Sequence, residues 1–147
     1  MNLYFGNAKT IAKSGSALYP KLQVTKDAEL NRPSDWLPAH VEVPLLTVHF
    51  TRLAPGNVAE GEGSIGYESR GDSPTNLTLS IRRDPSIKVA SHTLSIDNQQ
   101  KKLTSVTGSE WLEDGAALAV YRLYASTTVP NTVRLLGPVH FTIIIRL

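Results

Sequence analysis

The sequence predicts an all-β fold, an antiparallel β-sandwich. The clearest observation comes from residues 139–147, where every second side chain is apolar. A period of two over such a run is typical of a strand that buries one face. Elsewhere, short β-prone segments alternate with frequent turns, and no amphipathic helix of about ten residues lies between them. A βαβ unit therefore cannot be fitted, and the pattern favours antiparallel pairing in a sandwich or barrel.

Composition limits the class of protein. A chain of 147 residues with 41% hydrophobic residues is long enough to bury one core without covalent staples. The absence of cysteine excludes disulfides, zinc-thiolate sites and a cysteine nucleophile. No run of about 18 apolar residues occurs, so we expect no membrane partner. The first six residues lack a charged segment followed by a long apolar run, so we expect no secretory signal peptide.

Residues 1–38 have no sustained hydrophobic period and are interrupted by glycine and proline. We predict an extended N-terminal arm here, with brief β segments, followed by a β-sandwich domain over residues 39–147. Residues 1–32 hold five basic side chains against two acidic ones, a balance of +3. This charge fits either a solvated surface or an arm that meets an acidic partner or a phosphate backbone.

The middle of the chain reads as a meander of strands. Residues 40–50 form one strand region, which is broken or bulged at Pro44. Residues 57–76 are polar and rich in glycine, and we predict a loop. Residues 77–82 alternate apolar and polar side chains, and residues 87–96 run back after a turn.

The C-terminal third adds short strands and one short helix. Residues 101–106 and 118–125 are predicted as strands. Residues 109–115 predict a helix of one or two turns, with Ser109 as its N-cap and Gly115 just past its end. With the final strand, this gives about seven or eight short strands.

No constellation typical of an enzyme or a metal site is found. The four histidines have no metal-ligand spacing, and neither a nucleophile elbow nor a glycine-rich phosphate loop is present. Carboxylates in the glycine-rich segment, such as Glu60 and Glu62, do not follow the spacing of a calcium loop. We therefore predict no catalytic residue, no metal and no cofactor, and we expect that the protein is not an enzyme.

Two sets of residues are candidates for binding. Arg70-Gly71-Asp72 resembles the integrin-binding loop of cell-adhesion proteins, although the same residues are ordinary turn formers. The aromatic side chains in loop-like stretches can stack on sugars or bases, or can close the end of a sandwich. These candidate ligand aromatics are Trp36, Tyr67 and Trp111.

An extended, mildly basic arm before a compact sandwich resembles the layout of small jelly-roll viral coat and virion-surface proteins. The resemblance implies a virion protein, assembled in the host cytoplasm, that forms homo-oligomers or a shell through its arm and strand edges. It further implies packaged nucleic acid as a partner of the arm lysines and a host receptor as a partner of the Arg70 loop. Such arms often carry a dense basic cluster, whereas here the lysines are spread out. The predicted assembly residues of the arm are Leu3, Tyr4, Phe5, Lys9, Lys13 and Tyr19.

A different function class stays open from the residues alone. A β-sandwich adhesin or lectin would use the loop aromatics and the Arg-Gly-Asp loop to bind a ligand. The two hypotheses differ in their partner, because a shell protein binds copies of itself and need not bind a sugar.

Overall fold

A computed structural model describes residues 5–14, 21–30 and 33–146, and it confirms the all-β fold. Within these ranges there is no helix, and hence none that could cross a membrane. The strands are β1 (Phe5–Ser14), β2 (Lys21–Leu30), β3 (Val43–Leu53), β4 (Asn57–Ser69), β5 (Thr75–Arg83), β6 (Ile87–Ile96), β7 (Gln100–Leu112), β8 (Ala116–Thr127) and β9 (Val133–Arg146).

The strands form two sheets, one with the order β1-β2-β9-β4-β7 and one with the order β3-β8-β5-β6. All pairs are antiparallel. Strand β2 pairs with β9, β3 with β8, β4 with β7 and β5 with β6. The chain is thus wrapped as one long hairpin whose successive pairs fall alternately in the two sheets. This is the jelly-roll arrangement.

The core lies between the two sheets and is filled by alternate residues of each strand. On β9 the predicted alternation is confirmed from Val139 to Ile145, whose odd-numbered side chains are buried. The inward residues of β8, such as Tyr121 and Leu123, are buried in the same core. Strand β2 lies opposite β3 and β7 opposite β6, so β1 extends beyond the edge of the four-stranded sheet.

The sandwich begins earlier in the chain than the predicted boundary after residue 38. Strand β2 pairs with β9 without interruption from Lys21 to Ala28, and Val24 and Ala28 pack against the core. The sequence suggested only a short strand here, through Leu22 and Val24, because the apolar alternation is interrupted by Lys26. Residues 21–30 are therefore part of the sandwich, and β1 forms a hairpin with β2.

The prediction of a loop over residues 57–76 was wrong for most of its length, because β4 occupies Asn57–Ser69 and lies between β9 and β7. The glycines that suggested a loop have a packing role. A Cβ at Gly61 would lie 3.0 Å from Ile81 Cδ1, and one at Gly63 would lie 2.5 Å from Leu123 Cδ1. Glycine leaves space for these larger side chains of the opposite sheet.

The helix predicted at residues 109–115 is also wrong. Strand β7 continues to Leu112 and stays paired with β4 throughout. Ser109 and Trp111 are exposed while Leu112 is buried, which is the period of two of a strand. The glycine that suggested the end of a helix belongs to a turn instead. Gly115 adopts a positive φ of 68° in the turn that leads into β8.

Candidate functional site

The candidate site is the outward face of the five-stranded sheet along β7, its edge strand. Strand β7 pairs with β4 over its whole length with no register shift. Side chains of alternate residues point away from the core, and their neighbours point toward it. The outward residues are Lys101, Leu103, Ser105, Thr107, Ser109 and Trp111.

Two of these outward residues are large and apolar. Leu103 is 70% exposed and Trp111 is 64% exposed, the two highest values among the large hydrophobic residues that the structure describes. Leu103 lies opposite Gly66, and Trp111 lies opposite Val58, both on β4. Leu103 and Trp111 thus place one exposed apolar side chain near each end of the outward face of β7.

A shallow groove of about 340 Å³ lies on the same face, between the two ends of β7. Glu60 and Glu62 of β4 provide carboxylates, and the Glu60 carboxylate lies 3.2 Å from the Arg146 guanidinium. Hydroxyls come from β7 and β9. The groove can accept hydrogen bonds from a polar ligand, and Trp111 lies two residues beyond its end on β7. It is lined by Glu60, Gly61, Glu62, Thr107, Gly108, Ser109, Thr142 and Ile144.

A chain of hydrogen bonds crosses this face on the β2 side of the groove. The Asp27 carboxylate contacts Nδ1 of His140, and Nε2 of His140 lies 3.0 Å from the Thr142 hydroxyl. The Thr142 hydroxyl lies 2.9 Å from that of Thr25. Both threonines are buried, so the chain fastens β2 to β9. Sequence reasoning missed this cluster, because Asp27 and His140 are brought together only by strand pairing.

The three candidate ligand aromatics are in different surroundings. Trp111 is exposed beside the groove. Tyr67 is 1% exposed, and its hydroxyl accepts a hydrogen bond from the Gln100 amide at 2.9 Å. Burial raises the pKa of Tyr67, and the Gln100 hydrogen bond partly offsets this. The expectation for Tyr67 is corrected, because a ring inside the sandwich cannot stack on a ligand.

Trp36 is half-buried and is covered by guanidinium groups. The Arg70 guanidinium lies 4.0 Å from the centre of the Trp36 ring, and that of Arg134 lies 4.9 Å from it. Arg134 also binds the Glu68 carboxylate at 2.7 Å. These are cation–π contacts, and they occupy the ring surface that a sugar or base would need.

The Arg70-Gly71-Asp72 segment lies in the turn between β4 and β5, as its composition predicts. Gly71 has a positive φ of 79°, and a Cβ there would overlap the backbone of Asn98 and Gln99. Asp72 is exposed, whereas the Arg70 side chain lies on Trp36. The turn conformation thus explains the glycine at position 71, and the contact with the Trp36 ring explains the position of the Arg70 side chain.

The predicted assembly residues of the arm are only partly within the described residues. Phe5, Lys9 and Lys13 lie on β1, where Lys9 pairs with Asp27 and Lys13 with Gln23. Leu3, Tyr4 and Tyr19 lie outside the described residues.

A second polar cluster links the two sheets near the Trp111 end of β7. The Glu110 carboxylate of β7 accepts hydrogen bonds from Arg83 of β5 at 2.6 Å and from the Tyr121 hydroxyl of β8 at 2.8 Å. Burial, and then the hydrogen bond to Glu110 and its charge, raise the pKa of Tyr121 well above the ordinary value of 10.0. This cluster is structural, because its members face the interior.

Comparison with known proteins shows similarity of fold only. No family model and no curated protein sequence matches the chain. Similar solved structures include the T13 particle of infectious bursal disease virus, with 10% identity and a TM-score of 0.46, covering 97% of this chain and 36% of that chain. The VP2 subviral particle of the same virus gives 11% identity and a TM-score of 0.39, covering 96% and 38%.

A xylan-binding domain, CBM22-1 from Paenibacillus barcinonensis Xyn10C, is also similar, with 16% identity and a TM-score of 0.35, covering 92% of this chain and 81% of that chain. The chain spans little more than a third of the two viral chains. The similar structures thus include virus-particle chains and a carbohydrate-binding domain, and at these identities and TM-scores they assign neither a family nor a function.

Proposed function

We propose that the protein is a self-assembling structural subunit of a virion, as coat, decoration or spike component. The observation that carries this proposal is a jelly roll whose five-stranded sheet overhangs the four-stranded one at β1 and has β7 at its other edge. Jelly rolls are used in viral capsid domains. A subunit with unpaired edges on opposite sides of one sheet has two separate surfaces for contact with further copies.

The N-terminal segment contributes the first of these surfaces. Strand β1 pairs with β2, and among the strands that the structure describes none of the four-stranded sheet lies opposite it. A neighbouring copy that covers β1 would bury this overhang and extend the assembly. No catalytic step is required for this function.

Size-exclusion chromatography with light scattering, followed by electron microscopy, tests the proposal. We expect the full chain to form particles or large oligomers, and a variant lacking residues 1–14 to form smaller species. The deletion stops before β2, because β2 belongs to the sandwich. A full chain that stays monomeric at high concentration would rule out the shell function.

Nucleic acid is the proposed partner of the arm lysines within such a particle. Charge reversal of both Lys9 and Lys13 should lower the 260/280 nm absorbance ratio of purified particles, since phosphate contacts by lysine depend on charge. Lys88→Glu, an exposed position on the four-stranded sheet, is the matched control and should leave the ratio unchanged. An unchanged ratio in the Lys9 and Lys13 variant would contradict this role.

A sugar-binding module is the second candidate function. It is favoured by one observation, the exposed Trp111 ring beside a groove that contains Glu60 and Glu62. Exposed aromatic rings and carboxylates provide the stacking and hydrogen bonds that a polar ligand such as a glycan needs. Binding on a glycan array that is lost in Trp111→Ala but kept in Leu103→Ala would support it. Absence of binding to any glycan would argue against it.

A further inference from the structure

The edge strand β7 lacks the features that usually prevent strand edges from pairing. Natural edge strands are short, bulged, interrupted by proline or protected by charge. Strand β7 has 13 residues, no proline and no register shift. By contrast, the described edge strands β1, β3 and β6 each have a register shift against their neighbour, and β3 also contains Pro44.

The charges on β7 do not protect its central part. Lys101 and Lys102 lie at its start, and the remaining charged residue, Glu110, faces the interior, where Arg83 and Tyr121 bind it. Between Leu103 and Trp111, the outward residues are small and uncharged; they are Ser105, Thr107 and Ser109. The two exposed apolar residues are therefore placed symmetrically about Thr107.

We propose that β7 pairs antiparallel with β7 of a second copy of this chain, about a two-fold axis that passes through Thr107. The two five-stranded sheets then join into one continuous sheet. This inference rests on the proposed self-assembly, and it names the edge, the partner and the register of one contact.

The register follows from complementarity. With the axis at Thr107, Leu103 of each copy faces Trp111 of the other, so the apolar pair is formed twice. Lys101 then lies beside Glu113 of the second copy, which pairs opposite charges. An axis one residue earlier, at Val106, would instead place Leu103 opposite Ser109. Both the apolar pair and the pair of opposite charges would then be lost. A two-fold axis normal to the sheet keeps outward side chains on the outward face, as strand pairing requires.

Cysteine cross-linking tests the register, because the chain contains no native cysteine. Thr107→Cys places two thiols opposite each other at the axis, within about 5.5 Å between Cβ atoms, and mild oxidation should give a covalent dimer. Ser105→Cys alone and Ser109→Cys alone are matched controls on the same exposed face. In this register, each of these cysteines lies four residues along the strand, about 13 Å, from the same cysteine in the second copy. Neither variant alone should therefore cross-link.

An equimolar mixture of the Ser105→Cys and Ser109→Cys proteins should cross-link, because these positions face each other across the axis. Cross-linking of Ser105→Cys alone, or absence of a Thr107→Cys dimer at concentrations where the chain associates, would overturn the register. These positions are exposed, so the substitutions leave the core unchanged.

A charged side chain in place of Leu103 tests the proposed contact independently, through the dissociation constant of the dimer. Leu103→Lys should raise the dissociation constant of the dimer at least about tenfold, because the change removes two buried apolar contacts. Leu118→Lys is the matched control, since Leu118 is 59% exposed on the outward face of the four-stranded sheet. Equal dissociation constants for the two variants would overturn the proposal.

The outcomes separate this contact from the proposed function. Large assemblies that form without a Thr107→Cys cross-link, and are unaffected by Leu103→Lys, would overturn the β7 contact and leave the structural function standing. A cross-linked, Leu103-dependent dimer that never forms a larger assembly would support the β7 contact and contradict the shell function.

Discussion

Glu110 joins the two sheets through side-chain contacts at one end of the sandwich. Its side chain is 12% exposed and binds both the Arg83 guanidinium and the Tyr121 hydroxyl. Removing one member of such a cluster leaves the others with unmatched charge and hydrogen bonds inside the protein. Single residues of this kind therefore affect stability more than their exposed counterparts.

We expect Glu110→Ala to lower the free energy of unfolding by about 3 kcal/mol, because Arg83 would remain as a largely buried charge without its partner. Urea denaturation monitored by circular dichroism measures this change. The matched control is Glu113→Ala, an exposed carboxylate in the following turn, which should change stability by about 0.5 kcal/mol or less. Equal effects in the two variants would contradict the role of Glu110.

Tyr121 makes the stability depend on pH in the alkaline range. Its pKa is raised in the folded protein, so above pH 10 the unfolded chain loses this proton while the folded chain keeps it. The stability contributed by neutral Tyr121 is present below pH 10 and decreases as pH rises further. In Tyr121→Phe, the decline should be shallower by up to about 1.4 kcal/mol per pH unit. Parallel pH profiles for the two proteins would contradict this prediction.

At the scale of elements, the approach of β6 to β7 depends on one glycine. A Cβ at Gly108 would lie 2.5 Å from the Ala90 Cβ and 3.0 Å from the Val89 carbonyl oxygen. Neither atom can move without shifting the β6 backbone. At position 108 the two edge strands can therefore approach this closely only because β7 has no side chain there.

We expect Gly108→Ala to destabilise the fold by about 1–3 kcal/mol, because the added methyl group overpacks this contact. Ser109→Ala, the next residue on β7 with an exposed side chain, provides the control and should have a small effect. Thermal unfolding of the two variants distinguishes them. A Gly108→Ala protein as stable as Ser109→Ala would show that β6 and β7 separate easily.

At the scale of the whole molecule, the long hairpin brings together strands from opposite ends of the sequence. Val24 pairs with Ile143, and the Thr25 and Thr142 hydroxyls bind each other. Strand β2 thereby covers one side of β9. The first strand of the jelly roll is thus required to complete the core, whereas β1 is attached at the outer edge.

Truncation should separate these two contributions. A chain lacking residues 1–14 should unfold cooperatively, because only the edge strand β1 is removed. A chain lacking residues 1–30 should lose cooperative unfolding, because the loss of β2 exposes apolar side chains of β9 and removes the Val24 and Ala28 contacts. Equal cooperativity in both truncated chains would show that β2 is dispensable.

The sequence by itself determined the fold class and several strands, because the alternation of apolar residues is a local property. Residues 77–82 and 139–145 show it clearly, and both lie in strands. Sequence reasoning from turn-forming residues also placed Arg70-Gly71-Asp72 in a turn. It failed at β4, where glycines needed for close sheet packing imitate a loop, and at β7, where a capping pattern imitates a helix.

Only the tertiary structure decided which strands are neighbours and which edges stay open. Pairing is set by contacts between residues far apart in sequence, so the Asp27–His140 contact and the inclusion of β2 in the sheet have no local signal. For the same reason, Tyr67 was found to be buried and Leu103 exposed only once the two faces of each strand were assigned. The candidate site exists because β7 is at the edge of its sheet, and this position is a property of the whole fold.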